Sequence, residues 1–246
     1  MSSQLDHLIR LWSTLGAGFD ARPVDGPIDL ERLLLETARR APAMSRLFIM
    51  AATWLHTYGD LVAKHRLKRL IRDELESEHQ PVLGLLLDIA QQGTHPLEFQ
   101  SVIKLLDPAE EERPLFESNR KNPKLAGISE ERASALSRKW GLWCQPIEFK
   151  TDALRPAAWM IQSQPQLRTR ADFRGDLRAS ILAALRHDEG AGHSESRLAQ
   201  MAGGSRAQLR NALGNLRMTN RVEWRRAINS RRSEIWLTNH STNRDS

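Results

Sequence analysis

The chain has 246 residues, of which 40% are hydrophobic and one is cysteine, Cys144; that is enough apolar material for one large domain or two small ones, and it excludes an internal disulfide framework or a multi-cysteine zinc site. The formal net charge of +6 is unevenly placed: residues 167–246 carry 15 arginines, no lysine and 8 acidic residues, whereas residues 1–166 carry 21 basic and 22 acidic residues. No run approaches the roughly 18 apolar residues that span a bilayer, and the start lacks the pattern of a secretory signal, so the expectation is a soluble, cytoplasmic protein whose C-terminal third meets a polyanion.

Leu5, Leu8, Ile9, Trp12 and Leu15 recur at helical spacing until Gly16, Gly18 and Pro23 break the pattern. Asp29 is a good N-cap for a helix carrying Leu30, Leu33, Leu34, Ala38 and Ala41 on one face, stopped by Pro42. Met44 to Tyr58 is apolar nearly all round, as expected of a helix buried centrally in a bundle. Leu61 to Glu78 reads as a charged amphipathic helix or pair of helices, with Leu67, Leu70, Ile71 and Leu75 inward. Pro81 suits the first turn of the next helix, which runs to Gly93, and Phe99, Val102, Ile103 and Leu106 give a short further one. Leu30–Gly59 and Leu67–Gly93 echo each other faintly, at a spacing that would suit stacked helix pairs; a plain bundle is the simpler expectation.

From Asp107 to Ser129 the apolar periodicity disappears, which predicts a surface connection. Ser129 is placed to cap a helix running to about Trp140, and Leu142, Trp143, Ile147 and Phe149 alternate as in a short strand. One more helix is expected near Ala157–Gln162.

The C-terminal third is the most informative. Asp176 to His187 predicts a helix with Leu177, Ile181, Ala184 and Leu185 inward, and Ala191 to His193 suits a short first strand of a small sheet. Ser194 caps a second helix, with Glu195 at its positive end and Leu198, Ala199 and Met201 facing a core. After Gly203–Gly204, Ser205 and Gln208 form a capping box for a third helix with Leu209, Ala212, Leu213 and Leu216 as its stripe. The opposite face holds Ala207, Asn211 and Gly214, flanked by Arg206 and Arg210. Val222 and Trp224, then Ile235 and Leu237, alternate as two strands of a hairpin turning at Asn229–Ser230, with Arg225, Arg226, Arg231 and Arg232 toward the turn.

The stretch Arg197 to Ser205 (RLAQMAGGS), followed by Leu209, Leu213 and Leu216 and by Arg221 and Val222, resembles the winged helix-turn-helix superfamily in the manner of bacterial transcriptional regulators. The likeness covers about 70 of the 246 residues, and the N-terminal two-thirds resemble no known family. Two features depart from the pattern: Gly203–Gly204 predicts a looser turn than usual, and the hairpin lacks a glycine at its tip. The resemblance implies binding of double-stranded DNA, usually as a homodimer. The third helix would enter the major groove, where Arg206 and Arg210 reach guanine edges or phosphates and Asn211 pairs with adenine. The expected interface is Ser205, Arg206, Ala207, Gln208, Arg210, Asn211, Gly214 and Arg217 on that helix, with Arg225, Arg226, Arg231 and Arg232 on the wing.

Weaker signals point elsewhere. Glu148 and Lys150 have the Glu-x-Lys spacing of metal-dependent nucleases, but no aspartate lies between Asp107 and Asp152 to complete such a site. His187 and His193 lack partners at metal spacing and read as solvated loop residues. Lys64, Arg66, Lys68, Arg69 and Arg72 are followed by four carboxylates and read as a solvated, salt-laced helix face. Trp140, Trp143 and Trp159 suit core or interdomain packing. No phosphate-binding loop or nucleophile elbow is present.

The expectation is therefore a mainly helical protein with a helical domain (1–106, a bundle or helix-pair repeat), a connecting region (107–166), a winged helix (167–240) and a tail (241–246). It has no metal, cofactor or catalytic site and acts as a transcriptional repressor, its N-terminal part dimerising, sensing a ligand or holding a protein partner. The alternative is an interaction subunit, antitoxin-like or part of a defence system, whose helical domain clasps a partner enzyme.

Overall fold

A computed structural model describes residues 2–92, 98–226 and 233–238. The chain is mainly helical. Six helices open it: α1 (Ser2–Thr14), α2 (Leu30–Arg40), α3 (Ser45–Tyr58), α4 (Lys64–Glu74), α5 (Gln80–Ala90) and α6 (Gln100–Ile103). The Asp29 carboxylate accepts from the Arg32 backbone N–H and starts α2. In α3, whose middle turns from Leu47 to Leu55 are almost wholly buried, the Trp54 indole donates to the Leu15 carbonyl at 2.8 Å and stands edge-on to Trp12 at 5.7 Å. A buried indole needs such an acceptor. α2 lies against α4 and α3 against α5, as two stacked helix pairs would place them, yet α2 also packs directly on α5, as in a bundle.

The next stretch departs from expectation. Strand β1 (Arg113–Pro114), α7 (Glu117–Arg120), α8 (Pro123–Glu131), α9 (Ala135–Lys139) and strand β2 (Leu142–Trp143) follow in order, with β1 and β2 parallel. Ser129 caps nothing: it lies inside α8, its hydroxyl bonded to the Leu125 carbonyl, while Asn122 caps α8 and Ser134 caps α9. A proline at the first turn of α8 fits the earlier start. The expected strand through Phe149 ends at Trp143. Nor is residues 107–129 only a surface connection, since Leu115 is fully buried. Trp140 lies flat on Gly84 of α5, where any added Cβ would sit 2.2 Å from the indole ring. Its N–H donates to Asp88 at 3.0 Å.

Helices α10 (Ala157–Ser163) and α11 (Gln166–Phe173) lead to α12 (Leu177–His187), α13 (Glu195–Ala202) and α14 (Arg206–Met218), then to the antiparallel hairpin β3 (Val222–Arg226) and β4 (Ser233–Leu237). Ala191–His193 is a single 3-10 turn and not a strand. It packs on β4 so closely that a Cβ at Gly192 would lie 2.0 Å from the Ile235 carbonyl oxygen. Among the described residues this sheet has two strands. None of the described helices is long and apolar enough to cross a membrane.

Two apolar cores result. One gathers buried residues from Leu8 to Leu167; the other gathers Ile181, Leu198, Leu209, Leu213, Leu216, Val222 and Ile235 from the C-terminal helices and hairpin. Helix α4 joins them, packing against both α12 and α13. The basic run on α4 is a solvated face only in part: Arg72 is exposed and Arg69 pairs with the exposed Asp73, but Arg66 turns inward. Arg66 is fully buried, and its guanidinium donates to Asp29, Glu31 and Asp188 at 2.6–3.0 Å. Arg32 and Arg69 add ion pairs to Asp188 at 3.0 and 3.1 Å, and Arg170 pairs with Glu31 at 2.6 Å. Despite the burial, hydrogen bonds from Arg66 hold the Asp29 carboxyl well below the usual carboxylate range.

His187, beside this network, is half-buried and not a solvated loop residue. Its Nε2 has no hydrogen-bond partner among the described residues, and burial pushes its pKa from 6.5 down to about 4. The folded chain therefore binds fewer protons than the unfolded chain between those values, and stability falls as the pH drops through that window, by up to about 3 kcal/mol. The Asp29 contribution is lost only at lower pH, below the ordinary aspartate value of 3.8. Urea denaturation at pH 7 and pH 4.5 should show a smaller acid loss for His187→Gln than for the natural chain. An equal loss in both would assign the acid sensitivity elsewhere.

Candidate nucleic-acid interface

The helix-turn-helix geometry is set locally. Ser194 accepts from the Arg197 N–H and starts α13. Gly203 ends it in the left-handed region (φ +78°), and the N–H groups of Gly203 and Gly204 both reach the Ala199 carbonyl at 3.0 Å. The turn is thus tight, not loose as the paired glycines suggest in sequence. It is also pressed against α4: a Cβ at Gly203 would lie 2.2 Å from the His65 carbonyl oxygen. Ser205 and Gln208 form the expected capping box, each side chain accepting from the other's backbone N–H, at 3.2 and 3.0 Å.

On α14, Leu209, Leu213 and Leu216 are buried while Arg206, Ala207, Gln208, Arg210, Asn211, Gly214, Arg217 and Met218 are exposed. Neither the first core nor α4 covers this outward face. Nothing lies within 4 Å of a Cβ built on Gly214. The fold therefore does not require glycine there, although glycine costs a helix interior about 1 kcal/mol relative to alanine.

The arginines of this face are held weakly. Arg206 and Asn211 have no hydrogen bond or ion pair among the described residues. Arg210 meets Glu195 at 2.9 Å, but its side chain is 69% exposed, and such surface pairs contribute about 0–1 kcal/mol. Arg217 lies over the Trp224 ring at 5.4 Å. Arg225 pairs with Glu223 and lies over Trp236 at 5.8 Å. The antiparallel register puts Trp224 opposite Ile235 on the core side and Trp236 opposite Glu223 on the outer side. Both indoles remain partly exposed. The alternation in sequence separates these two tryptophans, but nothing in sequence shows that each carries an arginine. Arg231, Arg232 and the expected Asn229–Ser230 turn lie outside the described residues, as does the side chain of Arg226.

The other candidates do not assemble into sites. Glu148 and Lys150 pair with each other at 3.1 Å, and no group of three or more metal-ligating side chains occurs among the described residues. Compared with protein-family models, curated proteins and solved structures, the chain matches none of them.

Proposed function

We propose that α12, α13, α14 and the hairpin form a winged-helix module that binds double-stranded DNA, and that the protein regulates transcription by occupying promoters, most simply as a repressor. One observation carries this reading: the whole outward face of α14, from Arg206 to Arg217, is open to solvent although the rest of the motif is packed and anchored to α4. In this arrangement α14 enters the major groove. Arg206 and Arg210 are placed for guanine edges or phosphates, Asn211 for adenine, and Ala207 and Gly214 allow close approach. Arg217, Arg225 and the remaining wing arginines neutralise backbone charge. A homodimer would read two half-sites.

The test is selection of duplexes from a random library by the full chain. Enrichment of a defined motif, altered in composition by Asn211→Ala, is the expected outcome. A bound pool with no enriched motif would remove sequence-specific regulation from the proposal. An interaction subunit is the second reading, favoured by the exposed Leu125 and Ile128 on α8.

A further inference from the structure

Where the hairpin's two strands meet the rest of the chain, at Arg221 and Thr238, lies a small open cleft of about 70 Å³. Thr169 and Arg170 reach it from α11, Arg186 from α12, and Arg221 and Thr238 from the two ends of the hairpin, which are joined there by the Thr238 N–H donating to the Arg221 carbonyl at 3.1 Å. Three arginines therefore line one space, with the apolar Leu182, Ala183 and Leu237 also in its wall. Arg170 is satisfied, since Glu31 takes two of its nitrogens, but Glu31 also serves Arg66. Arg221 reaches Asp172 and Thr169 only at 3.4 Å each. Arg186 has no hydrogen bond or ion pair among the described residues, and loss of water together with nearby Arg170 pushes its pKa down. The Thr238 hydroxyl oxygen is buried and has no partner among the described residues.

Like charges gathered around one unfilled cleft are stabilised by an anion. Guanidinium groups bind tetrahedral oxyanions through paired N–H donors, and threonine hydroxyls add further ones. The cleft holds a little over two waters' worth of liquid, at on the order of 30 Å³ each. That admits a phosphoryl group and leaves any organic remainder in the open mouth. We propose that this cleft is a binding site for a phosphate-class oxyanion, held by Arg186 and Arg221 with the Thr169 hydroxyl. A bound anion would tie α11 to α12 and to the hairpin end at Arg221. The site stands independently of the DNA reading.

Thermal unfolding of the full chain, titrated with inorganic phosphate or a phosphate monoester against sodium chloride of equal ionic strength, tests this. A saturable rise in Tm is expected from ligand linkage, with a midpoint shifted about tenfold or more to higher phosphate in Arg186→Gln. Arg186 lies at the exposed rim, so that variant should fold, and calorimetric titration of both proteins gives an independent affinity. A non-saturating rise of equal size in both proteins is the general effect of an excluded salt and overturns the proposal, as does no phosphate-specific rise. Salt-dependent DNA titration separates the sources. A slope reduced by about 1 in Arg186→Gln assigns the occupant to a DNA phosphate, and an unchanged slope assigns it to a free ligand.

Discussion

Replacing Arg66 with alanine is expected to lower stability by about 3–5 kcal/mol, the cost of leaving buried charges without their counterpart. Arg66 is fully buried, and without it Asp29, Glu31 and Asp188 lose the counterion they share and keep only the flanking Arg32, Arg69 and Arg170. Asp188 belongs to the segment just after α12, so the same change loosens the C-terminal module from α4. Arg66→Lys should rescue only part of the loss, because an ammonium cannot match three carboxylates with a planar fork of donors. Arg39→Ala, which breaks ion pairs to the largely exposed Glu36 and Glu76, should cost about 1 kcal/mol or less. Urea denaturation of the three variants checks the ranking. A loss under about 1 kcal/mol for Arg66→Ala would mean that the network is incidental to the fold.

The second large effect is expected on binding. Arg206→Glu combined with Arg210→Glu should reduce affinity for duplex DNA on the order of 100-fold or more, at about 1–3 kcal/mol for each lost contact. Stability should hardly change, because both side chains are exposed. Among the described residues, the one partner of this pair is the surface contact of Arg210 with Glu195. The double variant thus separates reading from folding, which Arg66→Ala does not.

These two predictions differ in how far the sequence foretells them. The α14 face is legible because its determinants are local. A serine and a glutamine three residues apart set the start of the helix, and leucines at 209, 213 and 216 set its inward side. Whatever lies opposite must point outward. The helices α2 and α3 are legible for the same reason. Arg66 is not legible, because its partner Asp188 is 122 residues away. Its position beside Leu67 and one turn before Leu70 puts it at the edge of the buried stripe of α4, which hints at burial but names no partner. Ser129 misleads because serine both caps helices and back-bonds within them, and Pro123 with Asn122 is the stronger start. Ala191–His193 misleads because a strand and a close-packed turn both suit small residues against a sheet edge. The anion cleft is invisible in sequence, since its residues come from α11, α12 and the two hairpin ends.

The most direct measurement is the salt dependence of full-chain binding to a labelled duplex, read by fluorescence anisotropy between 50 and 200 mM salt, for the natural chain and for Arg206→Glu with Arg210→Glu. Four arginines of the described interface, at about −0.9 per neutralised phosphate, give an expected log–log slope near −3 to −4, made shallower by about 2 in the double variant. No binding at 50 mM salt, or binding of the double variant with the same affinity and slope as the natural chain, would contradict the assignment of α14 as the face that meets DNA.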